Sequence, residues 1–199
     1  ILRFDTVSQV ASAINKMIVR GAPAIGAAGA YGMALAVLRP ERRFDSLEQE
    51  IEEAKRVLDA ARPTAVNLEW ATSRVRDVAM TFLKGRRDLE RKTLYELLLS
   101  EAQKISNQDV EINTRMGRIG SVVVPKNANV LHHCNTGSLA TVDRGTFLSH
   151  SKKKTHSHSL ENTPTNRSHS VDLSKLTHLN RSSICCERHN SLSRRCFAV

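Results

Sequence analysis

Residues 21–38 carry no charged side chain, and eleven of those eighteen are Ala or Gly. A helix with no polar face cannot lie on a protein surface. It must run through a core or cross a membrane. Ala and Gly gain little from lipid, and Pro23 and Tyr31 interrupt the rest, so the pattern predicts a buried helix. Pro23 stands where a first helical residue should be, its missing N–H costing nothing there. Gly26, Gly29, Ala30 and Met33 fall on one face, smooth enough for another helix or a strand to pack closely. Just upstream, Gly21 and Ala22 leave room for a ligand to approach the backbone, and Arg20 offers a planar, charge-assisted grip on a phosphate. Simple close packing uses the same residues, so both readings stand. The chain opens at Ile1 without an initiator Met or a secretory signal, and its true N-terminus is expected to be missing.

Further helices are expected on either side. Val7, Val10, Ala11, Ile14 and Ile18 make one apolar face after an Asp5/Thr6 start. Asp45-Ser46-Leu47-Glu48 resembles a capping box, opening a helix with Leu47, Ile51, Ala54 and Leu58 on one side. Arg62-Pro63-Thr64 should break that helix and cap the next, whose face is Leu68, Ala71, Val75, Val78 and Phe82. After a turn at Lys84-Gly85-Arg86-Arg87-Asp88, another helix with Leu94, Leu97, Leu98 and Ile105 runs towards Gly117. Val122-Val123-Val124 and Val130-Leu131 read as short strands, or as a connector and a strand.

The second strand leads into His132-His133-Cys134-Asn135-Thr136-Gly137-Ser138-Leu139-Ala140-Thr141. Asn, Thr and Gly make a turn, and Ser-Leu-Ala-Thr can start a helix. Cys134 thus falls where strand gives way to helix, a setting whose backbone N–H groups favour a thiolate or a substrate phosphate. A lone Cys is equally at home as a small core hydrophobe.

Three segments carry a family resemblance: Arg20-Gly21-Ala22-Pro23-Ala24-Ile25-Gly26, Arg62-Pro63-Thr64-Ala65-Val66-Asn67-Leu68, and His133 to Thr141. Together they resemble methylthioribose-1-phosphate isomerase of methionine salvage, over about residues 1–146. The resemblance implies a helical N-terminal domain (1–120) followed by the first strand and turn (121–146) of a Rossmann-like parallel α/β domain. It implies an aldose–ketose isomerase that turns 5-methylthioribose 1-phosphate into 5-methylthioribulose 1-phosphate without metal or other cofactor. Cys134 falls at the catalytic position of one acid/base partner, while Arg20, Gly21, Ala22 and Arg62 fall at substrate-binding positions. A thiol titrates ordinarily at roughly pH 8.5, and a pocket can tune it either way. Ring opening must precede hydrogen transfer from C2 to C1, by an enediolate or a hydride shift. The resemblance also implies a cytoplasmic homodimer, with nuclear presence open.

The departures bear on activity. The family's partner Asp, and its later Gln and Asn-Lys, find no counterpart in the 199 residues. Asp143 is too close in sequence to Cys134 to be assumed the substitute, and Arg144 stands where related sequences usually carry an aromatic residue. One acid/base group cannot complete the proton transfers, so this chain is expected to be a truncated, inactive form. Two other readings share the fold. Ribose-1,5-bisphosphate isomerase is one, and a regulatory subunit of the translation-initiation nucleotide-exchange complex, acting by interaction alone, is the other.

Beyond residue 146 the composition changes. All nine glycines lie at or before Gly145, while residues 147–199 hold eleven Ser, six of the eight His and three of the four Cys. Nine Lys/Arg against three Asp/Glu give this stretch +6 of the chain's +10. No window keeps an apolar stripe, so the tail reads as non-homologous and disordered, the product of a shifted frame or a retained intron. Cys185, Cys186, His189 and Cys196 fit no strong zinc spacing. Lys152-Lys153-Lys154 would attract nucleic acid only non-specifically, for no aromatics interleave with the charges. A single Cys in the body makes no disulfide framework, which fits a reducing compartment.

Overall fold

The computed structural model describes residues 2–38, 40, 44–84, 91–124, 130–132, 135–146, 157–159 and 196–198. Among the described residues five helices dominate: α1 (Val7–Asn15), α2 (Ala22–Leu38), α3 (Leu47–Ala61), α4 (Val66–Leu83) and α5 (Arg91–Val123). Two of them begin in the same way. The Thr6 hydroxyl accepts the Gln9 N–H at 3.3 Å while the Gln9 side chain accepts the Asp5 N–H at 2.7 Å. Ser46 and Gln49 repeat the arrangement for α3, with Asp45 as the return donor. Each pair satisfies donors that a helix start otherwise leaves open.

Being apolar on every side, α2 takes the centre. It packs against α1, α3, α4 and α5, and all but its two ends are buried. Gly29 lets Leu68 of α4 lie directly on the α2 backbone. From α3 come Ile51 and Leu58, from α4 Leu68 and Val75, and from α5 Leu94 and Leu98, all fully buried around Met33. Glu50 is buried too, its carboxylate held by two hydrogen bonds from the Arg91 guanidinium at 2.6 and 2.7 Å. Among the described residues no helix is long and apolar enough to cross a membrane.

Several local expectations change in the fold. Ile18 leaves the α1 face and is exposed, because the helix ends at a Schellman-type turn with Met17 at φ 58°. α2 begins at Ala22, so Pro23 is its second residue. Thr64 does not cap α4; Ala65 occupies that position and provides no side-chain bond. The buried face of α4 includes Thr72, Ala79 and Leu83, while Val78 and Phe82 are only half-buried. Thr72 can be buried because its hydroxyl lies 2.7 Å from an Asp59 carboxylate oxygen. Val122 and Val123 end α5 instead of forming a strand. The preference of valine for strands is weak beside a 33-residue helix that is already propagating, and Val122 and Val123 extend it into solvent.

Strand β2 (Val130–His132) stands where Val130-Leu131 predicts one. It pairs in parallel with β3 (Ser157–Ser159), and β1 (Leu2–Phe4) pairs antiparallel with β4 (Cys196–Ala198). The expectation of a tail without strands thus misses two three-residue pairings. Backbone ladder bonds need no apolar stripe, and three residues are too few to display one. Of the turn expected over 84–88, residues 85–88 lie outside the described residues, as do the tail zinc candidates Cys185, Cys186 and His189.

Candidate functional site

Gly21 is the hinge of the site. Its φ of +95° lies in the left-handed region, and its open face rests on the Ala140 backbone. A methyl group there would lie 2.6 Å from the Ala140 carbonyl carbon, so only glycine permits the approach. Two motifs far apart in sequence therefore meet at the start of α2. In that first turn Pro23 has no N–H and Ile25 donates to the Gly21 carbonyl at 2.9 Å. Helix geometry leaves the Ala22 and Ala24 N–H groups without intrahelical acceptors.

The loop at 135–146 is folded on itself. Asn135 accepts the Gly137 N–H at 2.9 Å, a 3-10 turn spans Ser138–Ala140, and the Thr141 hydroxyl donates to the Arg144 carbonyl at 2.7 Å. Gly145 packs against Gly137, at a distance where a side chain would collide. The helix start expected at Ser-Leu-Ala-Thr is this single 3-10 turn, closed by the extended backbone of Thr141.

A helix residue that no motif includes ties the loop to the body. Asp109 of α5 accepts the Val142 N–H at 2.9 Å on one carboxylate oxygen and the Asn113 amide at 2.9 Å on the other. Burial pushes its carboxyl above the usual range, although both hydrogen bonds pull the other way. Asn113 is itself buried, as are Ser106 and Gly117 on the same side of α5. Spacing of three and four residues along 106, 109, 113 and 117 is the trace that sequence offers, yet it is polar and looks solvated.

The remaining sequence-predicted residues fall as follows. Arg20 and Ala22 are exposed on either side of half-buried Gly21. Arg62 is the C-cap of α3, its N–H donating to the Asp59 carbonyl. Its neighbour Ala61 accepts the Asn15 side-chain amide at 3.2 Å, which joins the end of α3 to the end of α1. Past Arg62, the Asn67 carbonyl lies 2.9 Å from where a Gly26 side chain would begin, bringing the start of α4 against α2. Cys134 and His133 lie outside the described residues. A separate open groove of about 800 Å³ between α4 and α5 takes in none of these residues. Its Arg74 is engaged, pairing with Glu101 at 2.6 Å and lying 5.6 Å above the Trp70 ring.

A helical body whose central helix starts against an Asn-Thr-Gly loop has known counterparts. The chain belongs to the initiation factor 2 subunit family, which it matches over residues 18–180. That match passes the change of composition after Gly145, whereas pairwise matches to relatives take in 144 to 151 residues. It is 48% identical over 147 residues to methylthioribose-1-phosphate isomerase 2 of Pseudothermotoga lettingae, covering 74% of this chain and 41% of that protein. It is 45% identical to the methylthioribose-1-phosphate isomerase of a Synechococcus species, covering 73% and 40%. Among solved structures, 5-methylthioribose 1-phosphate isomerase from Pyrococcus horikoshii superposes with a TM-score of 0.62 at 42% identity, covering 71% of this chain and 39% of that one. The delta subunit of translation initiation factor eIF-2B from A. fulgidus gives 0.61 at 40% identity, covering 72% and 41%. The chain spans about 40% of the length of the relatives it matches.

Proposed function

We propose that this chain carries the N-terminal, substrate-gripping part of an aldose–ketose isomerase acting on 5-methylthioribose 1-phosphate. The observation that carries the reading is the seating of Gly21 on Ala140, which joins the Arg20-Gly21-Ala22 motif to the 135–146 loop. Relatives named as this isomerase at 45 to 48% identity support the choice of substrate. The free N–H groups at Ala22 and Ala24, at the positive end of α2, suit a phosphate, and Arg20 adds a charge-assisted contact. Arg62 would grip the same substrate from the end of α3. Cys134, as the thiol of the loop, would exchange a proton with the sugar during hydrogen transfer from C2 to C1, with no cofactor required. A carboxylate partner must hand over the other proton, and the 199 residues offer no motif counterpart of it. The chain alone is therefore inferred to bind without turning over. Residues 121–146 would open a Rossmann-like parallel domain after a helical domain of residues 1–120, with 147–199 a non-homologous tail. A cytoplasmic homodimer fits the resemblance.

The fold by itself supports a second reading equally, since the eIF-2B delta subunit superposes as well as the isomerase. The test is a chimera joining residues 1–146 to the remaining C-terminal part of the Pseudothermotoga relative, assayed with 5-methylthioribose 1-phosphate. It should turn over. Cys134→Ser should abolish turnover and leave affinity nearly intact, because a hydroxyl is too weak an acid to share the proton. Arg20→Ala should weaken binding by about 1.5–3 kcal/mol, roughly ten- to a hundredfold. Normal turnover by the Cys134→Ser chimera would return that thiol to the core-hydrophobe role, whereas a parent chimera without turnover would favour the interaction-subunit reading.

A further inference from the structure

The loop at 135–146 is pinned at two points. Ala140 lies on Gly21, and two residues later the Val142 N–H donates to Asp109 at 2.9 Å. The loop's bonds at Gly137 and Thr141 close within it and fix its shape without fixing where it sits. Asp109 in turn is aimed by the buried Asn113 amide, which occupies its other oxygen. A carboxylate so held has one oxygen available for the loop and little freedom to leave it. We propose that Asp109 is the positioning residue of the site, docking the 135–146 loop onto the start of α2. This rests on the reading of that end as a sugar-phosphate site, and it concerns α5, which none of the recognised motifs includes. A loop that is docked has its backbone groups in place before substrate arrives, so ordering costs are removed from binding.

The test uses the 199-residue chain and residue-resolved amide exchange, beside titration with 5-methylthioribose 1-phosphate. Asp109→Ala should lower protection at Ala140, Thr141 and Val142 by about ten- to a hundredfold, the worth of a hydrogen bond to a charged group. Protection at Leu94, Leu98 and Ile105 should not move. Asp109→Asn keeps an acceptor oxygen and should hold the loop within about threefold of the parent. Val142→Pro deletes the donor without touching α5. Thr141 already has the extended backbone (φ −125°, ψ −178°) that a following proline favours. It should match Asp109→Ala at Ala140 and Thr141, and combining the two should add nothing. Where the parent binds the sugar phosphate, Asp109→Ala should weaken affinity by about tenfold and Asp109→Asn should restore it. Unchanged loop protection in the Ala and Pro variants would overturn the proposal. So would equal losses in the Asn and Ala variants, or a loss spread through α2 and the first half of α5. A parent chain that ignores the sugar phosphate, while the exchange pattern holds, leaves the docking role standing and removes the sugar-phosphate reading instead.

Discussion

Replacing Gly21 with Ala tests the junction on which the site depends. Two costs act together. A side chain at φ +95° loses about 1–2 kcal/mol to left-handed backbone strain. Its methyl group would also enter the Ala140 backbone, with the carbonyl carbon 2.6 Å away. Backbone cannot swing aside as a side-chain tip does, so accommodating the group in place adds about 1–3 kcal/mol. The alternative is for the loop to lift, which forfeits the Asp109–Val142 bond, about 1.5–3 kcal/mol. The protein takes the cheaper route, so the total comes to about 3 kcal/mol by either. Urea unfolding measures that total, and amide exchange at Ala140–Val142 tells which route is taken. Gly120→Ala is the matched control. Its site is in α5 with nothing within 4 Å, so the same substitution should stabilise by about 0.5–1 kcal/mol. A Gly21→Ala change below about 1 kcal/mol, with loop exchange unaltered, would mean that the contact is not the constraint argued here.

Two further outcomes follow from the helical body. Gly29→Ala sets a methyl against the tip of the Leu68 side chain and should cost about 1–2 kcal/mol, whereas in a Leu68→Ala background it should stabilise by filling the void; purely additive changes in a denaturation cycle would refute the contact. Glu101 is nearly buried, and although burial alone would raise its carboxyl, hydrogen bonds from Lys104 and Arg74 hold it below the usual range. The unfolded chain then binds the proton more readily, so this group stabilises above the ordinary carboxylate range and the gain is lost as pH falls through the lower folded value. Glu101→Gln should cost about 1 kcal/mol at pH 7, discounted for the exposed Lys104, and progressively less as pH falls below the ordinary carboxylate range; a cost that does not change with pH would exclude the ion pairs as the cause.

What the sequence made legible follows from how local each cause is. The N-terminal ends of α1 and α3 could be read, as an Asp5/Thr6 start and an Asp45–Glu48 opening, because capping acts within four residues; the side chains that close the caps are Gln9 and Gln49, the latter one residue past Glu48. The burial of α2 was legible because an uncharged stretch of 18 residues has nowhere else to go. Thr64 misled because its hydroxyl is a fair cap in isolation, and only the chain's path after Pro63 sets the helix one step later. Thr72 and Asp109 were invisible for a different reason. A hydroxyl or carboxylate on a helix reads as solvated until the partner that lets it be buried is known, and those partners sit on α3 and in the 135–146 loop.

The same distinction applies to the site. Arg20-Gly21-Ala22 and Asn135 to Thr141 each announce a tight turn, yet neither says that the other is its neighbour. Their meeting is arranged by packing that neither motif announces. α2 is held at the centre by packing on all sides, which fixes where its first turn emerges. α5 is rigidly joined to it, with the Tyr31 hydroxyl donating to Gln103 at 3.1 Å, and continues far enough to offer Asp109 beyond that contact. The first turn of α2 and the Asp109 carboxylate are thus parts of one packed body, and the loop spans the gap between them. A substitution deep in the α2–α5 contact would shift one pin against the other without altering a motif residue. The motifs supply the chemistry proposed for this chain, while the spacing of Gly21 from Asp109 decides whether the loop can reach both.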